Sequence, residues 1–190
     1  MKIKGMKIIF EDECIEAKER NGVYISCGLT AEITDKYSLI IKGDNCRVNK
    51  IKILFDYDFS YEALILGDAW ERAYGDLSWR KKSEYKVIPW YFCAAEQGAI
   101  NCYGVKTSPN SLCSWEFCSE GIVFAADIRN GTFPLALCGE LEVCTFVFER
   151  YEGDIQNALF DFCMKMCNNA RLPKRQIFGG NDWYCNYGDN

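Results

Sequence analysis

Residues 66–80, LGDAWERAYGDLSWR, hold the side chains in this sequence best suited to chemistry. Trp70, Trp79, Tyr74, Arg72 and Arg80 lie there beside the carboxylates Asp68, Glu71 and Asp76, between an apolar run and a basic cluster. Such a mixture suits a sugar. An aromatic ring stacks on the apolar face of a pyranose, while Asp, Glu and Arg engage its hydroxyls pairwise. A plainer reading has Trp70 and Trp79 covering a core and Asp68 pairing with Arg72 at the surface. Loops held by a rigid scaffold are common binding sites, which keeps both readings open.

Other chemistries are excluded or weakly signalled. The sequence contains no His, which rules out Ser/His/Asp and Cys/His catalysis. It has no nucleophile elbow, P-loop or dinucleotide fingerprint. Asp56-Tyr57-Asp58 imitates a calcium-ligand pair, but no complete EF-hand loop surrounds it. The 12 cysteines include no Cys-x-x-Cys; the nearest pairs are Cys113/Cys118 and Cys163/Cys167. Cys93 and Cys144 sit inside apolar runs, where a free thiol behaves as a small hydrophobe. The expectation is buried, reduced thiols, with no metal and no other cofactor.

Charge narrows the partners. The net charge is -5, from 27 acidic and 22 basic residues spread along the chain. The longest basic cluster, Arg80-Lys81-Lys82, reads as a solvated turn, so nucleic acid is not expected. A neutral, polyhydroxylated ligand suits the balance better. The opening MKIKGMKIIFEDE has only short apolar runs broken by Lys and Gly, too little for a signal peptide or a membrane span. A cytoplasmic protein with no membrane partner is expected.

Something must position these residues. A chain of 190 residues with 49 % hydrophobic and 26 % charged residues can build one real core, burying roughly 70 % of its unfolded surface. As far as about residue 150, short β-branched and aromatic runs alternate with turn residues. Strands are expected at 7–10, 23–27, 37–41, 48–55, 61–66, 85–93, 99–105, 112–118, 122–126 and 141–148. Turns are expected at Asn21-Gly22, Gly43-Asp44-Asn45, Gln97-Gly98, Glu120-Gly121 and Cys138-Gly139, among others. No stretch is long enough for helical crossovers, so the sheets must be antiparallel and packed as a sandwich. Trp90 and Trp115 fall in strand-like runs and are expected in its core. At Gly153 the period changes. Asp154 can cap a helix, and Ile155, Leu159, Phe162 and Met166 follow at helical spacing, widened by Phe160, Cys163 and Cys167. One helix near 154–170 is expected, ended by Asn168-Asn169 and Pro173 and followed by a basic linker.

The loop LGDAWERAYGDL and the finish FGGNDWY, residues 178–184, together resemble the melibiase-type glycoside hydrolases, the α-galactosidase group of family thirty-six. The resemblance covers essentially the whole chain through its order of strands, helix and strand-like finish. It implies an all-β fold: an antiparallel β-supersandwich like that of galactose mutarotase over 1–152, a linking helix and linker over 153–176, and the start of a truncated (β/α)8 barrel over 177–190. It implies a retaining mechanism with two carboxylates about 5 Å apart. In the relatives later barrel strands supply both, so no catalytic residue is expected here and the chain by itself should be inactive. By the same resemblance Asp182 and Trp183 line the sugar-binding end of the barrel, while Asp68, Trp70 and Arg72 reach toward a substrate pocket, in some relatives a neighbouring subunit's. The implied partners are a galactoside or related oligosaccharide, the barrel itself, and a second copy in a homo-oligomer.

The implied function is the supporting, pocket-shaping N-terminal domain of an α-galactosidase-like hydrolase in carbohydrate metabolism. In that setting the sandwich face toward the barrel, with Phe160, Cys163 and Cys167, is expected to be exposed in this chain. A second reading is a stand-alone carbohydrate-binding β-sandwich, using the Trp70/Trp79 loop without a partner. A third is a structural or oligomerisation domain with no ligand.

Overall fold

The computed structural model describes residues 1–11, 13–69, 77–176 and 179. Within them the chain is an antiparallel β-sandwich with one α-helix near its C-terminal end, as the alternation of apolar runs and turns requires. The strands β1 (Ile3–Phe10), β2 (Glu13–Glu16), β3 (Lys18–Arg20), β4 (Val23–Ser26) and β5 (Leu29–Ile33) lead into the 18-residue β6 (Ser38–Phe55). There follow β7 (Leu64–Gly67), β8 (Arg80–Lys81), β9 (Ile88–Pro89), β10 (Tyr91–Glu96), β11 (Ala99–Val105), β12 (Leu112–Cys118) and β13 (Gly121–Asp127). The equally long β14 (Leu135–Glu152) and the helix α1 (Ile155–Met166) complete the order.

Two long strands organise the sandwich because each serves two neighbourhoods. The first part of β6 pairs with β5 and with β14; its second part pairs with β1 and β13. β14 pairs with β6 as far as Thr145 and with β11 from Phe146 onward. One layer therefore runs β2-β1-β6-β13-β12-β9 and the other β14-β11-β10-β7-β8, with β3-β4-β5 extending from the long strands. Between the layers Phe55, Trp115 and Phe124 of the first meet Phe146, Phe148 and Phe92 of the second, the Phe124–Phe146 centroids lying 4.8 Å apart. Each such pair adds about 1 kcal/mol beyond the area it buries.

The long strands differ from the sequence expectation. Gly43-Asp44-Asn45 and Cys138-Gly139 do not end strands; they face one another inside β6 and β14. Leu137 pairs with Cys46 and Gly139 with Gly43, so Asp44 and Asn45 oppose Cys138 alone, and Asn45 (φ 54°) and Gly139 (φ 99°) absorb the mismatch. Two turn-prone segments placed opposite each other make a bulge, which bends and twists the ladder without ending it. The expected strand over 85–93 is instead broken at Trp90 (φ 66°), with β9 in one layer and β10 in the other. Trp90 is therefore no core residue. It is 38 % exposed, while Trp115 is fully buried and its indole Nε1 donates to the Trp90 carbonyl at 3.0 Å. Arg80-Lys81, expected as a turn, forms the edge strand β8 against β7. Asn21-Gly22 and Gln97-Gly98 are the expected two-residue hairpin turns, with positive φ at both positions as type I′ requires.

α1 closes the outer face of the second layer. The Asp154 carboxylate caps it by accepting from the Asn157 amide at 2.8 Å. Ala158, Phe162 and Met166 pack onto Cys93, Ile100, Cys102 and Val147, so the buried stripe is rotated from the expected one and Ile155 stays exposed. β11, sandwiched between the aromatic core and the helix, is buried along its whole length. Gly104 lets the helix approach this closely: a Cβ there would stand 2.7 Å from Met166 Sδ and 3.0 Å from Phe162 Cζ. On the outward side Phe160 and Cys163 are exposed as expected, whereas Cys167 is half-buried.

Candidate functional site

The loop that carries Asp68 grows from β7, and its two stems are tied by one tyrosine. Gly67 is the last residue of β7, and a Cβ there would press within 2.8 Å of Ile88 and 3.0 Å of the Tyr85 ring. Only glycine admits that ring. The Tyr85 hydroxyl then accepts from the Gly67 amide at 3.2 Å and lies 3.1 Å from the Ser78 carbonyl, where it can donate. Gly67 belongs to the outgoing stem and Ser78 to the returning one. The ladder continues one step beyond β7, with the Asp68 amide donating to the Tyr91 carbonyl at 3.3 Å, and the Asp68 carboxylate accepts from the Ala69 amide at 2.9 Å. On the returning stem Arg80 Nε donates to Ser78 Oγ at 2.8 Å.

Of the five expected binding residues, Asp68 alone is described. Trp70, Arg72, Asp182 and Trp183 lie outside the described residues. Trp79 is half-buried against the core beneath α1, together with Leu66 and Tyr91. It covers the fold, as the plainer reading of the loop has it. Leu66 and Trp79 of the loop stems therefore share with α1 the outer side of the β14-β11-β10-β7-β8 layer, and α1 carries the exposed Phe160.

A second constellation went unnoticed in the sequence. Tyr57, Phe59 and Tyr61 follow β6 at every other residue, and Lys82 reaches in from the 3-10 turn Lys82–Glu84 to stand 4.0 Å from the Tyr57 ring centroid and 4.6 Å from that of Tyr61. Phe117 and Ser119 complete a cleft of about 510 Å³. Tyr57 donates to the Cys118 carbonyl at 2.8 Å; burial, with a smaller push from Cys118, raises its hydroxyl pKa to about 12, so it remains a neutral donor. Burial also lowers the pKa of Lys82. The signal in the sequence was the period-2 aromatic run itself, read only as the weak Asp56-Tyr57-Asp58 pair. Those carboxylates have protein partners: Lys4 stands 3.5 Å from Asp56, and the Tyr103 hydroxyl donates to Asp58.

Among the described residues no group of three or more His, Cys, Asp or Glu could hold a metal ion, and Cys14, Cys27, Cys46, Cys93, Cys102, Cys113, Cys118, Cys138, Cys144 and Cys167 are free thiols. Among the described cysteines the expected burial holds for Cys93, Cys102, Cys113 and Cys144; Cys14, Cys27, Cys138 and Cys163 are exposed. Cys93 faces Cys102 across the ladder. Its hydrogen bond to Cys102, with burial, pushes its thiol pKa far up, which keeps it protonated and unreactive.

The chain matches no protein-family model and no curated protein sequence. Among the described residues no helix is long and apolar enough to cross a membrane. Among the described residues the geometry defines a class: an antiparallel β-sandwich with one α-helix and, on the same outer face, two loop stems tied by Tyr85.

Proposed function

We propose that this chain is the non-catalytic N-terminal sandwich of an α-galactosidase-like glycoside hydrolase of the melibiase type, acting in the cytoplasm. It supports a following (β/α)8 barrel and lends the Asp68, Trp70 and Arg72 loop to the substrate pocket. The observation that carries this reading is the common placement of the loop stems and α1 on one outer face, with Phe160 of α1 exposed there. A barrel docked on that side would cover the apolar residues and meet the loop. The loop sequence GDAWERAYGDL and the finish NDWY supply the chemical half of the argument. The catalytic carboxylates belong to the barrel, and Asp182 and Trp183 to its sugar-binding end.

The test is to express the gene with its sequence beyond Asn190 and measure hydrolysis of an aryl α-galactoside. Hydrolysis is expected from the extended protein and none from the 190-residue chain. An extended protein that lacks paired barrel carboxylates and leaves the substrate intact would end this reading. Within the active enzyme Asp68→Ala is expected to raise KM about tenfold, the loss of one hydrogen-bonding carboxylate at a sugar hydroxyl. Unchanged kinetics would remove Asp68 from the pocket and leave the sandwich a purely supporting role.

A further inference from the structure

The Tyr57/Tyr61/Lys82 cleft lies outside the loop discussed above, and it has features that a solvated surface does not need. Lys82 is half-buried between two tyrosine rings, and among the described residues no carboxylate pairs with it. Glu62 lines an adjoining cavity with Tyr61 and Lys82, and Glu84 of the same turn accepts from the Lys81 amide at 2.9 Å, but neither carboxylate forms an ion pair with Lys82. The quadrupoles of the rings hold the ammonium in place but do not neutralise it. The Lys82 ammonium, a donor of up to three hydrogen bonds, lines the cleft. Tyr61 is 75 % exposed, with Lys82 4.6 Å from its ring centroid, so most of an aromatic surface stays open to solvent. Ser83 and Ser119 add hydroxyls to the lining. The complement of this surface is a flat-faced ring bearing a carboxylate.

We propose that the cleft formed by Tyr57, Tyr61, Lys82 and Phe117 is a subsite for a uronic-acid saccharide, whose pyranose face stacks on Tyr61 and whose carboxylate pairs with Lys82. The choice of a saccharide among ring carboxylates rests on the carbohydrate reading given above; the demand for an anion rests on Lys82 alone.

Calorimetric titration of the 190-residue chain with trigalacturonic acid, galactotriose and 4-hydroxybenzoate tests it. Saturable binding is expected for trigalacturonic acid only, weakening as NaCl is raised, because a charge pair in an open cleft is screened. Lys82→Met and Tyr61→Ala are each expected to weaken it by about tenfold or more, for the lost ion pair and the lost stacking face respectively. Should Lys82→Met fail to fold, as judged by circular dichroism, the largely exposed Tyr61→Ala and the salt series still decide. The proposal is overturned by no saturable heat, by equal binding of galactotriose, by 4-hydroxybenzoate binding in place of the saccharide, by salt-independent binding, or by parent-like affinity in Tyr61→Ala. No hydrolysis enters this measurement, so its failure and a failure of the galactosidase reading are separately visible.

Discussion

Asp127 shows how one side chain links the sandwich to pH. Lys50 Nζ lies 2.9 Å from its carboxylate and Arg129 holds both its oxygens, at 2.7 Å for the Nη2 contact. Burial acts to raise its pKa, but the hydrogen bonds from Arg129 and Lys50 outweigh that and hold it at about 2. An unfolded Asp titrates near 4, so the folded state is the weaker proton acceptor. The stabilisation is therefore complete above about pH 4 and disappears as the pH falls from about 4 to 2. Asp127→Asn is expected to cost about 1 kcal/mol at pH 7, a value reduced by solvent screening, and close to nothing at pH 2. Urea melts at the two pH values check this; an equal loss at both would mean that packing, and not charge, is what the substitution removes. At this scale the sequence was legible in part. Asp154 as a cap and Trp115 as core followed from local pattern, whereas Tyr85 as the pin of a loop and Asp127 as a charge hub depend on partners brought in from other strands.

Among the elements, α1 and β11 form the most demanding contact. Gly104→Ala puts a methyl group against Met166, Phe162 and Tyr91. Overpacking of this kind costs about 1–3 kcal/mol, and here the helix is the element free to give way. Faster amide hydrogen exchange throughout Ile155–Met166, with β12 and β13 unchanged, is the expected result; protection lost uniformly across the sandwich would contradict it. The hairpins and the helix were readable from spacing alone because their signals lie within a few residues. The bulge joining Gly43-Asp44-Asn45 to Cys138 was not, since whether a turn-prone triplet turns or bulges depends on the strand laid beside it. The short edge strands were missed for a related reason. β3 and β8 consist of charged residues, which shield an edge from pairing with other chains but carry no apolar pattern.

For the molecule as a whole, the question is what lies against the face that carries α1. Phe160 is 58 % exposed, more than a phenylalanine with an intramolecular role requires. Phe160→Ser is expected to leave the Tm of the 190-residue chain nearly unchanged, as surface substitutions usually do within about 0.5 kcal/mol. In a protein extended by its barrel the same substitution should lower the Tm by several degrees, because a buried contact is lost. Differential scanning calorimetry of both forms makes the comparison, and equal Tm changes in the two would place the barrel contact elsewhere. This prediction stands on the proposed function and not on the uronate cleft, which lies between the segment after β6 and the turn after β8.

The sequence by itself determined the kinds of element and their order: alternating apolar runs and paired turn residues permit only antiparallel strands, a helical stripe follows Gly153, and the lack of His closes off whole classes of catalysis. These are local properties, set by backbone sterics and side-chain spacing within a few residues. The tertiary structure alone decided that β6 and β14 run on through their bulges, that Trp90 leaves the core while Trp79 covers it, and that Lys82 comes to rest between Tyr57 and Tyr61. Each of those outcomes joins residues far apart in the chain, and the free energy that joins them comes from packing two layers together, which no window of sequence contains.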